Sequence, residues 1–180
     1  MDQRERLIAS RSVYEGAILN LRVDDVIMPN GRETKREVVE HSPAVGIVAV
    51  QDGCLFLVEQ FRYAVRTSLL EIPAGIVEKG ESPVETACRE IQEEIGYRAD
   101  RMEEIGRLYT SPGFSEEELI FFWADGLSPS KLPADDDESI VVRKVPIPEV
   151  WDMIRDGTIR DGKTVAILSR LALEGKIAYH

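Results

Sequence analysis

Residues 75–97 read GIVEKGESPVETACREIQEEIGY. Ser82 precedes Pro83, a side-chain cap followed by a residue whose fixed φ suits the first helical position, and Glu85 completes a capping box. Val84, Ala87, Cys88, Ile91 and Ile95 then recur at three- and four-residue steps, and Gly96 supplies the stop. The spacing predicts a helix over Pro83–Ile95 with one apolar face against a core.

On a helix drawn at about 100° per residue, Glu90 and Glu94 lie roughly 80–120° to one side of the apolar stripe, one turn apart. Glu93 adds a carboxylate on the outer flank. Like charges at this spacing cost about 0.2–0.5 kcal/mol in an isolated helix, and carboxylates near a helix C-terminus oppose its dipole. A bound divalent cation reverses both effects; magnesium and manganese favour hard oxygens and complete their shells with water and phosphate. An acidic, solvated helix face is the other reading, and the helix alone leaves the two open. The preceding loop favours the cation. Gly75 and Gly80 let backbone approach a ligand, Glu81 stands at the helix entrance, and Arg89 can hold a carboxylate bidentately and orient its neighbours.

Outward from this helix, the apolar runs Val45–Val50 and Cys54–Val58 flank Gln51-Asp52-Gly53 and predict a hairpin buried on both faces. Leu69–Ile72 reads as a short strand ended by Pro73, and Ala74–Gly80 as a loop. Towards the amino terminus, Val13–Met28 reads as extended, with a change of parity that suggests a bulge near Asp24-Asp25. Pro29-Asn30-Gly31 turns the chain into a returning strand, Glu33–Glu40. Beyond the helix, strands are expected at Glu103–Leu108, Glu118–Trp123 and Ile140–Val145, and helices at Pro148–Arg155 and Thr164–Leu173. The stretch Leu127–Glu138, with its run Asp135-Asp136-Asp137-Glu138, reads as a solvated loop. The pattern is α/β in the broad sense (α+β): a mixed sheet covered by helices.

The 180 residues fit one domain, alone or with a small appendage, and 43% hydrophobic with 31% charged residues is a globular mixture. A net charge of −11 argues against a nucleic-acid partner, which would call for a basic patch. The charged start lacks the apolar core of a secretory signal, and no run approaches the roughly 20 residues of a membrane span. Cys54 and Cys88 lie in apolar stretches and are expected to be reduced, so a cytoplasmic location is expected.

Gly75, five residues, Glu81, seven residues, Arg89-Glu90-Ile91, one residue, Glu93-Glu94, one residue, Gly96 and Tyr97: this string resembles the Nudix box, departing from it only in Tyr97 for the usual aliphatic residue. The resemblance implies the Nudix fold, a mixed β-sheet sandwiched between α-helices. It also implies a magnesium site, with manganese a possible substitute, ligated by Glu90 and Glu94, assisted by Glu93, joined by the Ala74 carbonyl and supported by Glu81 and Arg89.

Three flanking segments are similar to the ADP-ribose pyrophosphatase branch of that family: Gln60-Phe61-Arg62-Tyr63, Glu71-Ile72-Pro73-Ala74-Gly75, and Ser111-Pro112-Gly113-Phe114-Ser115-Glu116-Glu117, whose proline falls fifteen residues beyond Tyr97. The expected reaction is attack of water on a phosphorus of ADP-ribose or a related nucleoside diphosphate sugar. Arg62 and Arg36 are candidate phosphate contacts, Pro112 and Gly113 shape a substrate loop, and Tyr14 or Phe61 offers an aromatic platform. The branch places a catalytic glutamate on that loop, here Glu117 with Glu116 and Glu118 beside it; the loop is expected to be mobile, and Glu93 is the alternative base. By the same resemblance residues 1–42 form a dimerisation unit of a homodimer and residues 43–180 the hydrolase domain. A housecleaning enzyme for nucleoside triphosphates would carry the same box, and a catalytically silent domain could bind ADP-ribose alone.

Overall fold

The computed structural model describes residues 3–133 and 139–179. The expected solvated run Asp135–Glu138 lies outside them. Two compact units are resolved, one of Met1–Pro43 with Leu108–Glu118, the other of Ala44–Arg107 with Leu119–His180. The segment Leu108–Glu118 thus groups with the amino-terminal residues, an arrangement that the expected boundary at residue 42 did not include.

The first unit is an antiparallel three-stranded sheet in the order β1 (Arg6–Glu15), β2 (Leu19–Ile27), β3 (Glu33–His41). Pro29-Asn30-Gly31 makes the β2–β3 turn, closed by the Gly31 N–H on the Met28 carbonyl and braced by Asn30 Oδ1, which accepts from the Arg32 N–H. The extended run begins earlier than expected, at Arg6, and is broken by a turn after Glu15. No bulge interrupts β2, which pairs with β3 without a break from Leu19↔His41 to Ile27↔Glu33. The register shifts lie in β1 instead, between Leu7 and Ala9 and between Ser12 and Tyr14. The parity change in β2 has another cause: Asp24 and Val26 are both buried on one face, with Leu21 and Val23 half-buried on the other. Asp24 tolerates burial because Ser10 Oγ donates to it at 2.6 Å and Arg22 Nε at 3.0 Å.

The second unit is a seven-stranded sheet whose path runs β10-β5-β4-β9-β8, with β6 paired to β5 and β7 to β4. Its centre is the hairpin of β4 (Ala44–Gln51) and β5 (Cys54–Arg62), turned by Asp52 and Gly53 at φ 54° and 72°, the left-handed pair that a two-residue hairpin loop demands. The two strands pair only beside the turn, at Val50↔Leu55 and Gln51↔Cys54, and then part. β4 goes on to pair in parallel with β9 (Glu118–Pro129) over Ala44–Ala49 and antiparallel with β7 (Ala74–Ile76). β5 pairs with β6 (Thr67–Glu71) and β10 (Ile140–Pro146). The parallel pair makes the sheet mixed, as expected; β8 (Tyr97–Tyr109) and β9 run longer than their apolar cores suggested, and β7 is a short strand inside the expected loop.

Helix α1 (Pro83–Glu90) continues into a π-helical turn, Ile91–Ile95, and Ala87, Ile91 and Ile95 pack into a core with Val45, Ile47, Ala49, Phe56, Val58, Ile120 and Phe122. Residues of opposite parity, Val48, Leu55, Leu57 and Phe121, are buried on the other face. α2 (Ile147–Arg155) buries Val150 and Trp151, and α3 (Gly162–Leu173) buries Ile167, Leu168 and Leu171. Each fully buried side chain of isoleucine size contributes about 1.5–3 kcal/mol relative to exposure, so this helical segment is anchored chiefly by Ile91 and Ile95 of the π-helical turn, leaving its acidic flank to other work.

Candidate functional site

The capping box is formed as the sequence predicts: Ser82 Oγ accepts from the Glu85 N–H and the Glu85 carboxylate accepts from the Ser82 N–H at 2.8 Å. The helix entrance is thereby fixed, and Glu81 with it. Arg89, two turns on, reaches back and donates to Glu81 through Nε and Nη2, both at 3.1 Å, while its Nη1 donates to Glu90 at 2.8 Å and to Glu93 at 2.7 Å. Thr86 Oγ1 adds a third donor to Glu81 at 2.8 Å. These hydrogen bonds, from Arg89 first and Thr86 next, hold the Glu81 carboxyl below its ordinary pKa. The Arg89 guanidinium is pushed further into its charged form by Glu81, against the effect of burial, with Glu90 and Glu93 adding to the shift.

Glu90 and Glu94 are 9% and 6% exposed, so each carboxylate sits at the protein boundary rather than in bulk water. Glu94 accepts from the Ala74 N–H at 2.9 Å. Gly75 faces Glu90 so closely that a Cβ there would overlap its carboxylate. The short strand β7 and the helix are therefore brought together by the absence of one side chain. The π-helical turn, closed by the Gly96 N–H on the Ile91 carbonyl with Gly96 at φ 78°, carries Glu93 and Glu94. Such turns insert one residue into the helical repeat and recur at functional sites. No pattern in the sequence announced it.

The structure thus gathers Glu81, Arg89, Glu90 and Glu93 into one network and joins Glu94 to Ala74. Among the described residues no three His, Cys, Asp or Glu side chains converge as a ready cation cage; Arg89 stands where their charges meet. The donor chemistry nonetheless fits a hard divalent cation: carboxylate oxygens, two of the carboxylates largely withdrawn from solvent, beside a glycine that leaves them room.

Arg62, a candidate phosphate contact, is already engaged. Its Nε and Nη2 donate to the two oxygens of Glu71, both at 2.8 Å, and Glu71 is 1% exposed. Burial alone would raise the Glu71 pKa, but Arg62 and Lys163 outweigh it and the carboxyl is held below the ordinary range. Nη1 of Arg62 takes no part in that pair. Glu71 is legible in the sequence only as the head of the segment Glu71–Gly75, and Asp161, Lys163 and Thr164 carry no functional signal there.

In the amino-terminal unit, Arg36, Pro112 and Gly113 do come together, lining a cleft of about 380 Å³ with Arg22, Phe114 and Glu116. Arg36 is paired with Glu5, Nε to Oε2 at 3.0 Å and Nη2 to Oε1 at 2.5 Å. Phe114, half-exposed, lines the same cleft, while the aromatic candidates Tyr14 and Phe61 are also exposed but do not line it.

Glu117 accepts from Thr110 Oγ1 at 2.7 Å and lies 3.7 Å from His41 Nδ1, while Arg22 Nη1 reaches Glu116 at 3.4 Å. The loop that carries both is hydrogen-bonded to β3: the Val39 N–H donates to the Phe114 carbonyl at 2.7 Å and the Glu116 N–H to the Val39 carbonyl at 3.2 Å. The loop expected to be mobile lies along the edge of the sheet, joined to β3 through the isolated bridge Val39↔Ser115. Its polar composition pointed to solvent and hid the unpaired backbone edge of β3 that it satisfies.

Residues 40–166 match the family described as NUDIX domain, and residues 5–39 match the one described as nucleoside diphosphate sugar hydrolase N-terminal domain. Among curated proteins the chain is 39% identical over 173 residues to the ADP-ribose pyrophosphatase of Bacillus subtilis, covering 94% of each chain. It is equally similar, 39% over 173 residues and 94% of each, to the methanol dehydrogenase activator of Bacillus methanolicus. A solved structure described as an ADP compounds hydrolase superposes with a TM-score of 0.86 at 23% identity, over 97% of this chain and 96% of that one, a likeness of fold.

Proposed function

Since the chain belongs to the Nudix family and is a Nudix hydrolase, we propose that it hydrolyses the diphosphate bond of ADP-ribose or a related nucleoside diphosphate sugar. The observation that carries this reading is the pairing of a box complete but for Tyr97 with an amino-terminal segment matched to nucleoside diphosphate sugar hydrolases, in a chain 39% identical to an ADP-ribose pyrophosphatase. Water adds to one phosphorus, the P–O–P bridge breaks, and ADP-ribose leaves as AMP and ribose 5-phosphate.

Glu90, Glu94 and the Ala74 carbonyl would hold a divalent cation, magnesium or in its place manganese, with Glu93 assisting and Glu81 in support. When bound, such an ion neutralises charge on the phosphates and lowers the pKa of the attacking water. Arg89 fixes the carboxylates in orientation through its fork of hydrogen bonds. Glu117 accepts the proton of the attacking water, with Glu93 the other candidate. Arg62, through the edge not used by Glu71, and Arg36 contact the phosphates, while Pro112 and Gly113 shape the substrate loop.

The protein acts as a homodimer in the cytoplasm in this proposal. Support for the dimer comes from β1, which exposes Leu7, Ile8, Val13 and Tyr14 along one short sheet, an apolar surface of the sort that marks an association face. No helix among the described residues is long and apolar enough to cross a membrane.

A product-resolved assay across nucleotide sugars and nucleoside triphosphates tests the reading. Two monophosphates from ADP-ribose, at a kcat/KM above that of any triphosphate, are expected. Pyrophosphate released from a preferred triphosphate would establish the housecleaning activity instead, and tight binding without turnover would leave a silent binding domain.

A further inference from the structure

The segment Glu71–Gly75 is fixed at every residue. The Glu71 carboxylate accepts from Arg62 and from Lys163 Nζ. The Ile72 N–H donates to Thr164 Oγ1 at 2.9 Å, and the Pro73 carbonyl accepts from the Ile47 N–H at 2.8 Å. The Ala74 N–H donates to Glu94, and Gly75 leaves the space that Glu90 fills. Two of these five tethers come from the start of α3, a helix outside the Nudix box.

That helix end is itself a closed network. Thr164 Oγ–H donates to Asp161 Oδ2 at 2.6 Å, the same carboxylate oxygen that caps α3 by accepting from the Thr164 N–H at 3.0 Å, and Lys163 Nζ lies 3.2 Å from it. Because a carboxylate accepts only, the Thr164 proton points to Asp161 and a lone pair is left for Ile72. Thr164 is fully buried and Glu71 is 1% exposed, so neither tether has water as a substitute. The hydroxyl of Thr164 thereby locates the backbone two residues before the amide that holds Glu94.

We infer that Asp161, Lys163 and Thr164 are positioning residues for cation binding: the start of α3 sets the Ala74 backbone, and through it the Glu94 carboxylate. The inference rests on reading Glu94 as a cation ligand.

The test is direct Mn²⁺ binding, by titration calorimetry or by electron paramagnetic resonance of the free ion, on the full chain without substrate. Thr164→Val keeps the shape and removes the acceptor; its Mn²⁺ dissociation constant is expected to rise on the order of tenfold, as for other groups that orient a ligand. Thr164→Ser, which keeps the hydroxyl, should bind like the wild type. Leu171→Ala, at the far end of α3, is the stability control: it lowers the melting temperature and leaves the affinity alone. Wild-type affinity in Thr164→Val, or an equal loss in Leu171→Ala, overturns the inference. If Thr164→Val does not fold, Lys163→Met decides on the same readout, with weakened binding expected and unchanged binding fatal. Failure of the underlying reading looks different, because Glu94→Gln would then bind Mn²⁺ as tightly as the wild type.

Discussion

Arg89 grips Glu81 through two parallel hydrogen bonds, Nε to Oε1 and Nη2 to Oε2, each 3.1 Å long. The pair ties the last turn of α1 to the residue before its cap, and it leaves Nη1 for Glu90 and Glu93. A lysine carries the charge without the planar fork. Arg89→Lys should therefore lower turnover by about tenfold or more while the circular dichroism spectrum stays native. A wild-type rate would remove the orienting role from Arg89.

Glu94→Gln preserves shape and deletes a charge from a carboxylate that is 6% exposed. The amide can still face the Ala74 N–H through its oxygen, so the fold survives. Turnover should fall on the order of 10²-fold or more even at saturating magnesium, and Glu90→Gln should follow it. A near-normal kcat in either variant would refute its place in the cation site.

Gly75→Ala sets a methyl group against the Glu90 carboxylate and its chain. Relief requires the Glu90 side chain to leave its place, or β7 or the helix to shift, at a cost of about 1–3 kcal/mol, readable as a lower urea midpoint, together with loss of activity. Unchanged stability would mean that the two elements part more easily than their contact implies.

Glu117 and Glu93 can be separated as bases. Glu117→Gln should lower kcat by about 10²–10⁴-fold with little change in magnesium requirement or KM. Glu93→Gln should first raise the magnesium concentration for half-activity, since Glu93 belongs to the Arg89 network. Glu116→Gln is the control for register. Loss in that control equal to the loss in Glu117→Gln would assign the wrong acid.

Glu71 gives a pH dependence with a definite sign. Its folded pKa lies below the ordinary 4.5, burial being outweighed by Arg62 and Lys163. A depressed pKa contributes stability at pH values above 4.5 that is lost as pH falls through the folded value. Urea unfolding from pH 7 downwards should therefore show the wild type losing stability relative to Glu71→Gln only below about pH 4.5. Parallel curves across that window would mean that folding does not lower the Glu71 pKa.

What the sequence disclosed follows from which signals are local. Ser82, Pro83 and Glu85 specify the helix start within a few residues, and Asp52-Gly53 specifies a turn by its backbone needs, so both were legible. The box residues Glu81, Arg89 and Glu90 were legible because their spacing alone brings them together. The Glu71–Lys163 pair was not: its members are 92 positions apart, and each looks ordinary in its own segment. The same holds for Val39 and Phe114, whose backbone bond depends on a strand edge that no side chain advertises. Parity misled in β2, where Asp24 takes an inward position only because Ser10 and Arg22 satisfy it.

The bond from Val39 to Phe114 has a consequence for how such proteins exchange properties. The stretch Pro112–Glu117 completes hydrogen bonds begun by β3, so residues 1–43 and 108–118 are one heritable cassette encoded in two places. Recombination that transfers only the first would deliver a sheet edge without its complement, and one that transfers only the second would deliver a loop with nothing to lie on. Chimeras between relatives should therefore keep their function when both segments share a parent, whatever the origin of the sequence between them.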